Sequence, residues 1–262
     1  MRSLSLLVLL ATACDPITPT PASNPDPTSD PDNVLDDPVE DNQRANTGDF
    51  AHNFLSSATY DSLLIEVDYV DGHAPSTSAL DTMVERFESI LDKPGGITVQ
   101  VDDIIPDQGA PAWTTSGTRS LETRYRDNYR NPDTGVAVLH MLYVDGHSAS
   151  DTENGRVLGF AYQGSSIVMF EESMEASSGG LLAGEIEPTV LIHEVGHQLG
   201  LTNIGTPMVA PHEDHDHNGH CDNDQCIMYW AAETSNIVDF LLSTEPDFDD
   251  PCLNDLSANG GL

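Results

Sequence analysis

Between Thr189 and Gly200 the chain reads TVLIHEVGHQLG. The apolar residues Val190, Leu191, Ile192, Val195 and Leu199 predict a buried helix, and within it His193 and His197 stand four positions apart. Positions four apart lie one above the other on the same helix face. Two imidazoles there can bind one metal ion, and the carboxylate of Glu194 between them can reach a water at that ion. Gly200 follows three residues after His197. A glycine at that place lets the chain turn sharply and return beneath the helix with a further ligand. The plain alternative is a core helix with incidental histidines. Against it stand the glycine, a histidine-rich segment at residues 212–220 and the methionine Met228 that follows.

These residues resemble the metal-binding region of metzincin metallopeptidases, whose longer motif is H-E-x-x-H-x-x-G-x-x-H. Asn203 occupies the position of the third histidine. Further on, the string HCDNDQCIM has the form H-C-x4-C-x-M, which resembles archaemetzincins, where the third ligand is followed by Cys, Cys and Met. The resemblance implies Zn2+ held by His193, His197 and His220, with an insertion between the glycine turn and the third ligand. His212 is the alternative third ligand. It further implies Glu194 as general base, Met228 on a tight Met-turn beneath the ligands, and Tyr229 or Tyr162 at the oxyanion. The implied fold is α/β (α+β) and metzincin-like: a twisted mixed sheet packed on the zinc-binding helix, then a small C-terminal subdomain with the Met-turn and a terminal helix.

The archaemetzincin resemblance also implies a second, structural zinc held by cysteines that include a C-x-x-C pair. Here that pair reads Cys252-Leu-Asn-Asp255, so one cysteine is missing. A disulfide among Cys221, Cys226 and Cys252 is the expectation for an exported chain, with a Cys3Asp zinc site as the alternative. A calcium site is a separate reading of the insertion. Asp214, Asp216, Asn218-Gly219 and Asp222 match the start of an EF-hand loop, although Gln225 stands where the bidentate Glu belongs.

The ends and the composition bound the setting. MRSLSLLVLLATA at residues 1–13 is a short apolar leader followed at once by Cys14. It is too short for a permanent span. It resembles a bacterial lipoprotein signal, which predicts export with acyl chains on Cys14 as the sole membrane attachment, in the periplasm or at the cell surface, or secretion if Cys14 is not lipidated. Residues 14–57, rich in Pro, Asp, Thr and Ser, predict an acidic disordered tether, because they offer too little apolar surface to offset ordering entropy. Residues 58–262 are then the metallopeptidase domain. With 44 acidic against 9 basic residues, nucleic acid is a poor partner.

In chain order the patterns predict strands at 63–70, 97–101, 136–144, 157–162 and 166–170, and helices at 76–93 and 116–130 before the motif helix, with one at 234–243 after Met228. His140, alone in an apolar strand, reads as a core histidine with a hydrogen bond. The metzincin resemblance implies that the strand before the motif helix, residues 164–171, is an edge that holds an extended peptide. The leading function is a zinc-dependent endopeptidase or aminopeptidase acting on a peptide or protein. The alternative is a non-catalytic, surface-anchored metal-binding lipoprotein.

Overall fold

Strand β4 (Val136–Val144) sets the layering, because nearly every residue in it is buried. A strand covered on both faces must sit inside a sheet with helices on both sides. The computed structural model describes residues 38–262 except 154, 180 and 181. Its elements run α1 (Pro38–Arg44), α2 (Ala51–Leu55), β1 (Ser62–Val70), α3 (Thr77–Glu88), β2 (Gly96–Ile105), β3 (Ala112–Trp113), α4 (Thr115–Tyr125) and β4. They continue with β5 (His147–Ser148), β6 (Gly159–Tyr162), β7 (Ser166–Phe170), α5 (Glu171–Ser178) and α6 (Ala183–Gln198). A 3-10 turn (Trp230–Glu233), α7 (Ile237–Ser243) and α8 (Asp250–Ala258) complete the chain.

The main sheet has the order β2-β1-β4-β7-β6. β1, β2, β4 and β7 pair in parallel and β6 pairs antiparallel with β7, so the sheet is mixed as expected. The short β3 and β5 pair separately. Alternation sorts the side chains by face. Leu139, Met141 and Tyr143 of β4 pack with Val190, Leu191 and Val195 of α6. Leu142 and Val144 face the other way, toward Trp113 and Leu121. His140 is fully buried and its Nε2 lies 2.9 Å from Asp68 Oδ2, so it is the hydrogen-bonded core histidine its sequence context suggested.

Two expectations are corrected. Residues 38–57 are not tether. Phe54 and Leu55 of α2 are buried in the core, and the Lys93 ammonium donates to the Asn53, Ser56 and Tyr60 carbonyls at 2.6–2.8 Å. Asn42 donates through Nδ2 to Gln163 and accepts from Ser165 Oγ. Low apolar content hid this segment, because two anchoring side chains and a polar net hold it. Second, β7 is interior, and the edge strand beside α6 is β6. Between β7 and the motif helix the chain forms α5, which ends on Gly179 in the left-handed region, a common glycine helix stop. The leader, Cys14 and the segment before Pro38 lie outside the described residues.

Candidate metal centre

Helix α6 delivers His193, Glu194 and His197 from one buried turn, all three at 8% exposure or less. Gly159 of β6 lets the sheet close down on this turn. A Cβ there would meet Glu194 Cγ at 3.1 Å and Val190 Cγ1 at 3.2 Å. After α6, Gly200 takes φ +83, and its Cβ would run into the Thr206 backbone, so the turn is a glycine turn. Asn203 also adopts positive φ but is exposed, and its Nδ2 donates to Glu213 Oε2 at 3.0 Å. It is not turned to the histidines. The chain loops out and returns with His220.

His193 Nε2 and His197 Nε2 are 3.1 Å apart. The His193 and His220 rings stack at 5.3 Å between centroids, and the His197 and His220 rings meet edge-on at 5.1 Å. The fourth member is Glu233, at the end of the 3-10 turn. Its Oε1 is 3.2 Å from His220 Nε2 and its Oε2 is 3.8 Å from His193 Nε2. One donor atom from each of the four residues lies within 4.8 Å of all the others.

The hydrogen bonding prepares the imidazoles as ligands. His193 Nδ1 donates to the Ile227 carbonyl at 2.7 Å, and His197 Nδ1 donates to the Leu201 carbonyl at 3.0 Å. A carbonyl only accepts, so these bonds put the protons on Nδ1 and leave the Nε2 lone pairs facing inward. Burial, reinforced by His197, lowers His193 to about 3. Burial likewise lowers His197. Neutral imidazoles with facing lone pairs at this spacing suit a shared cation. Tetrahedral nitrogen ligands on zinc stand about 3.3 Å apart, so the donor set fits that metal.

Neither Glu194 oxygen has a hydrogen bond of good geometry, although the Ala161 N–H and the Glu233 carboxyl approach them. Burial, then the neighbouring Glu233 charge, raises the Glu194 carboxyl well above the ordinary carboxylate range. Burial opposes ionisation of Glu233 too. The His220 hydrogen bond and the charges of His193, His197 and His220 outweigh it and hold Glu233 at about 2. For His220 burial opposes protonation, and the Glu233 contact overrides it and raises the imidazole. Glu233 was not legible in the sequence, since no ligand spacing marks it.

Met228 lies under this turn. A Cβ on Gly196 would overlap Met228 Sδ and come within 3.1 Å of its Cε. Neither candidate tyrosine is placed at the histidines. Tyr162 is buried on the opposite face of the sheet, 5.6 Å from the Phe160 ring, and Tyr229 packs on Trp230 and Phe240.

A second donor group, His212, Cys221, Asp249 and Cys252, stands apart from the first, with Cys226 beside it. Cys221, Cys226 and Cys252 are all free thiols, and Cys226 Sγ lies 3.6 Å from Cys252 Sγ. A disulfide bond is about 2.05 Å, so the expected pairing is corrected. His212 Nδ1 sits 3.4 Å from Cys221 Sγ and 3.9 Å from Cys252 Sγ. Tetrahedral sulfur ligands on zinc stand about 3.8 Å apart, and a nitrogen stands about 3.6 Å from a sulfur. His212 Nε2 is held by Asp255 Oδ2 at 2.8 Å. Thus Asp255 occupies the missing cysteine's position but orients a histidine. Asp249 Oδ2 also lies 3.4 Å from Cys221 Sγ. That carboxylate already accepts from Asn223 Nδ2 and caps α8 at Cys252 N, so it serves the frame of the cluster. The thiols share charge unequally: hydrogen bonds from Cys221 and Cys252 pull Cys226 down to about 5, while the bond with Cys226 pushes Cys221 up to about 11.

The EF-hand expectation finds no such convergence. Asp214 Oδ1 accepts from Asp216 N and its Oδ2 lies 2.8 Å from His217 Nδ1, so both oxygens turn into their own loop. Among the described residues, no donor cluster contains Asp214, Asp216 or Asp222. A third acidic cluster, Glu66, Asp68 and His140, is structural. Glu66 accepts from the backbone of Asp127 and Asn128, and Asp68 from that of Asp103.

Residues 77–202 match the family model for Reprolysin-like metallopeptidases of family M12B. The match stops just before Asn203, where the chain leaves the shorter spacing. No curated protein matches the chain. The crystal structure of archaemetzincin from Methanopyrus kandleri superposes with a TM-score of 0.51 at 18% identity, covering 76% of this chain and 96% of that one. A zinc-dependent peptidase from Methanocorpusculum labreanum gives 0.48 at 17%, covering 73% and 99%. The mixed sheet stacked on the histidine helix is the archaemetzincin-like fold, and residues 77–202 carry the likeness to a metallopeptidase family.

Proposed function

We propose that the chain hydrolyses peptide bonds with Glu194 as general base and with His193, His197 and His220 as the catalytic zinc ligands. The observation that carries this reading is the pairing of three converging imidazoles with a buried Glu194 whose oxygens make no hydrogen bond of good geometry. When bound, zinc supplies a Lewis acid that acidifies water and polarises a carbonyl. Glu194 takes the proton of the attacking water and returns it to the leaving amine. Its raised affinity for a proton, caused by burial, suits it to carry that proton between the two steps. β6 lies over Glu194 as an edge strand, and an extended peptide pairs along it by β-augmentation.

The second cluster is a structural zinc centre of Cys221, Cys226, Cys252 and His212. It pins the insertion and α8 to the Met-turn strand, since Cys221 N donates to Met228 O at 2.9 Å. The protein is exported and tethered through Cys14, in keeping with the leader sequence.

The test is digestion of a broad peptide library by the zinc-loaded protein beside Glu194→Ala. Cleavage by the wild type, lost in a variant that keeps its zinc, is the expected result. Zinc binding without cleavage of any peptide by the wild type would instead favour a metal-binding protein without catalysis.

A further inference from the structure

The proposed catalytic centre has one donor more than a hydrolytic zinc site needs. Catalytic zinc keeps three protein ligands and leaves its fourth position open, whereas four protein ligands make a closed site. Glu233 supplies a fourth. Its Oε1 stands 3.2 Å from His220 Nε2, close to the roughly 3.3 Å between neighbouring corners of one zinc tetrahedron, and its Oε2 stands 3.8 Å from His193 Nε2.

Glu233 differs from the histidines in its freedom. Its side chain is 25% exposed, while that of His193 is fully buried. It stands at the end of a four-residue 3-10 turn and not on a long helix. Its backbone is nevertheless tied to the residues that lead directly into the edge strand β6. The Leu158 N–H donates to the Glu233 carbonyl at 2.9 Å, and Val157 bridges to Thr234. A peptide that pairs along β6 therefore meets the segment that carries this carboxylate.

From this geometry we infer that Glu233 is a latch, a carboxylate that closes the fourth position of the His193–His197–His220 centre in the resting enzyme and swings out when substrate docks. The inference rests on the proposed zinc site. It supplies a means of latency within the domain itself, and the exchange it requires is of one oxygen donor for another, with no covalent bond made or broken.

The zinc-loaded full chain, Glu233→Gln and Glu233→Asp are compared by zinc content, by competition with a chromophoric chelator, and by binding of acetohydroxamate. A ligand that must first displace a closed state loses apparent affinity by the fraction of open state. Glu233→Gln is expected to bind acetohydroxamate about tenfold tighter or more, and to release its histidine-bound zinc to the chelator more readily. Glu233→Asp should fall between the two, and unchanged thermal unfolding shows that the variants are folded. Equal acetohydroxamate affinity and equal zinc retention in all three proteins, with two zinc ions per chain, would overturn the latch. A wild type that holds a single zinc, insensitive to His193→Ala, would instead remove the underlying site.

Discussion

Met228 Sδ fills the space directly beneath Gly196, where any β-carbon would sit. Gly196 lies between Glu194 and His197, so the methionine presses on the very turn that carries the metal-facing groups. The same glycine would raise helix propensity if replaced by Ala, by about 1 kcal/mol. Overpacking costs about 1–3 kcal/mol and opposes that gain. Gly196→Ala is therefore expected to lower the unfolding midpoint and loosen zinc. Met228→Ala opens a cavity and should cost about 2–5 kcal/mol. Because the two residues share one space, the double variant should be less destabilised than the sum of the singles. Denaturant unfolding of the four proteins measures this, and simple additivity would show that the contact does not matter.

Asp255 holds His212 Nε2 through Oδ2 and accepts from the Val209 N–H through Oδ1. Losing such a carboxylate partner typically weakens a metal site about 10- to 100-fold. Asp255→Asn should weaken one of two zinc ions by that order and leave peptide cleavage in place at saturating zinc. Thiol titration reads the same site. Cys221, Cys226 and Cys252 should react slowly in the loaded protein and fully after chelation, when the unfolding midpoint also falls.

Residues 38–57 belong to the folded unit. Burying a Phe or Leu side chain contributes about 1.5–3 kcal/mol each, and α2 buries one of each in the core. A chain starting at residue 58 also loses two of the three carbonyls that receive Lys93. It should unfold at markedly lower denaturant than a chain starting at residue 38. Matching midpoints would place the boundary at 57 after all.

Acid sensitivity should trace to Glu122. Burial resists its ionisation, but the charges of His140 and Arg126 and hydrogen bonds from Arg126 and Ser166 outweigh it and hold the carboxyl below its ordinary value. The folded state thus binds its proton less readily than the unfolded chain. The stabilisation is complete above the unfolded value, near 4.5, and is lost as pH falls through the lower folded value. Glu122→Gln should lower stability at neutral pH and flatten the acid limb of a stability-against-pH curve. An unchanged acid slope would assign it to other groups.

What could be read from the chain followed how local the pattern was. The two histidines of α6, Glu194 and the Gly200 turn are one stretch with one period, and β1, β4 and β7 are apolar runs bounded by turns, so each lies within a residue of its expected place. Glu233 lies five residues past Met228 on a turn that no periodicity marks. His212 was legible only as an alternative third ligand of the first centre; its place beside Cys221 and Cys252, oriented by Asp255 43 residues away, exists in space alone. The start of α8 was open to reading, since Asp249 caps it and Pro251 follows in the first turn. The identity of the edge strand was not, because β6 and β7 are both short, mainly apolar runs and differ in the sheet by one position.

The assignment of ligands to two separate centres is tested most directly by zinc per chain, measured beside cleavage, for His220→Ala and His212→Ala. Wild type should hold two zinc ions. His220→Ala should keep the cysteine-bound ion and lose cleavage, as His193→Ala should, while Asn203→Ala behaves as wild type. His212→Ala should keep the catalytic ion and cleave at saturating zinc while unfolding earlier. Cleavage abolished in His212→Ala, with both ions and full activity retained in His220→Ala, would contradict it.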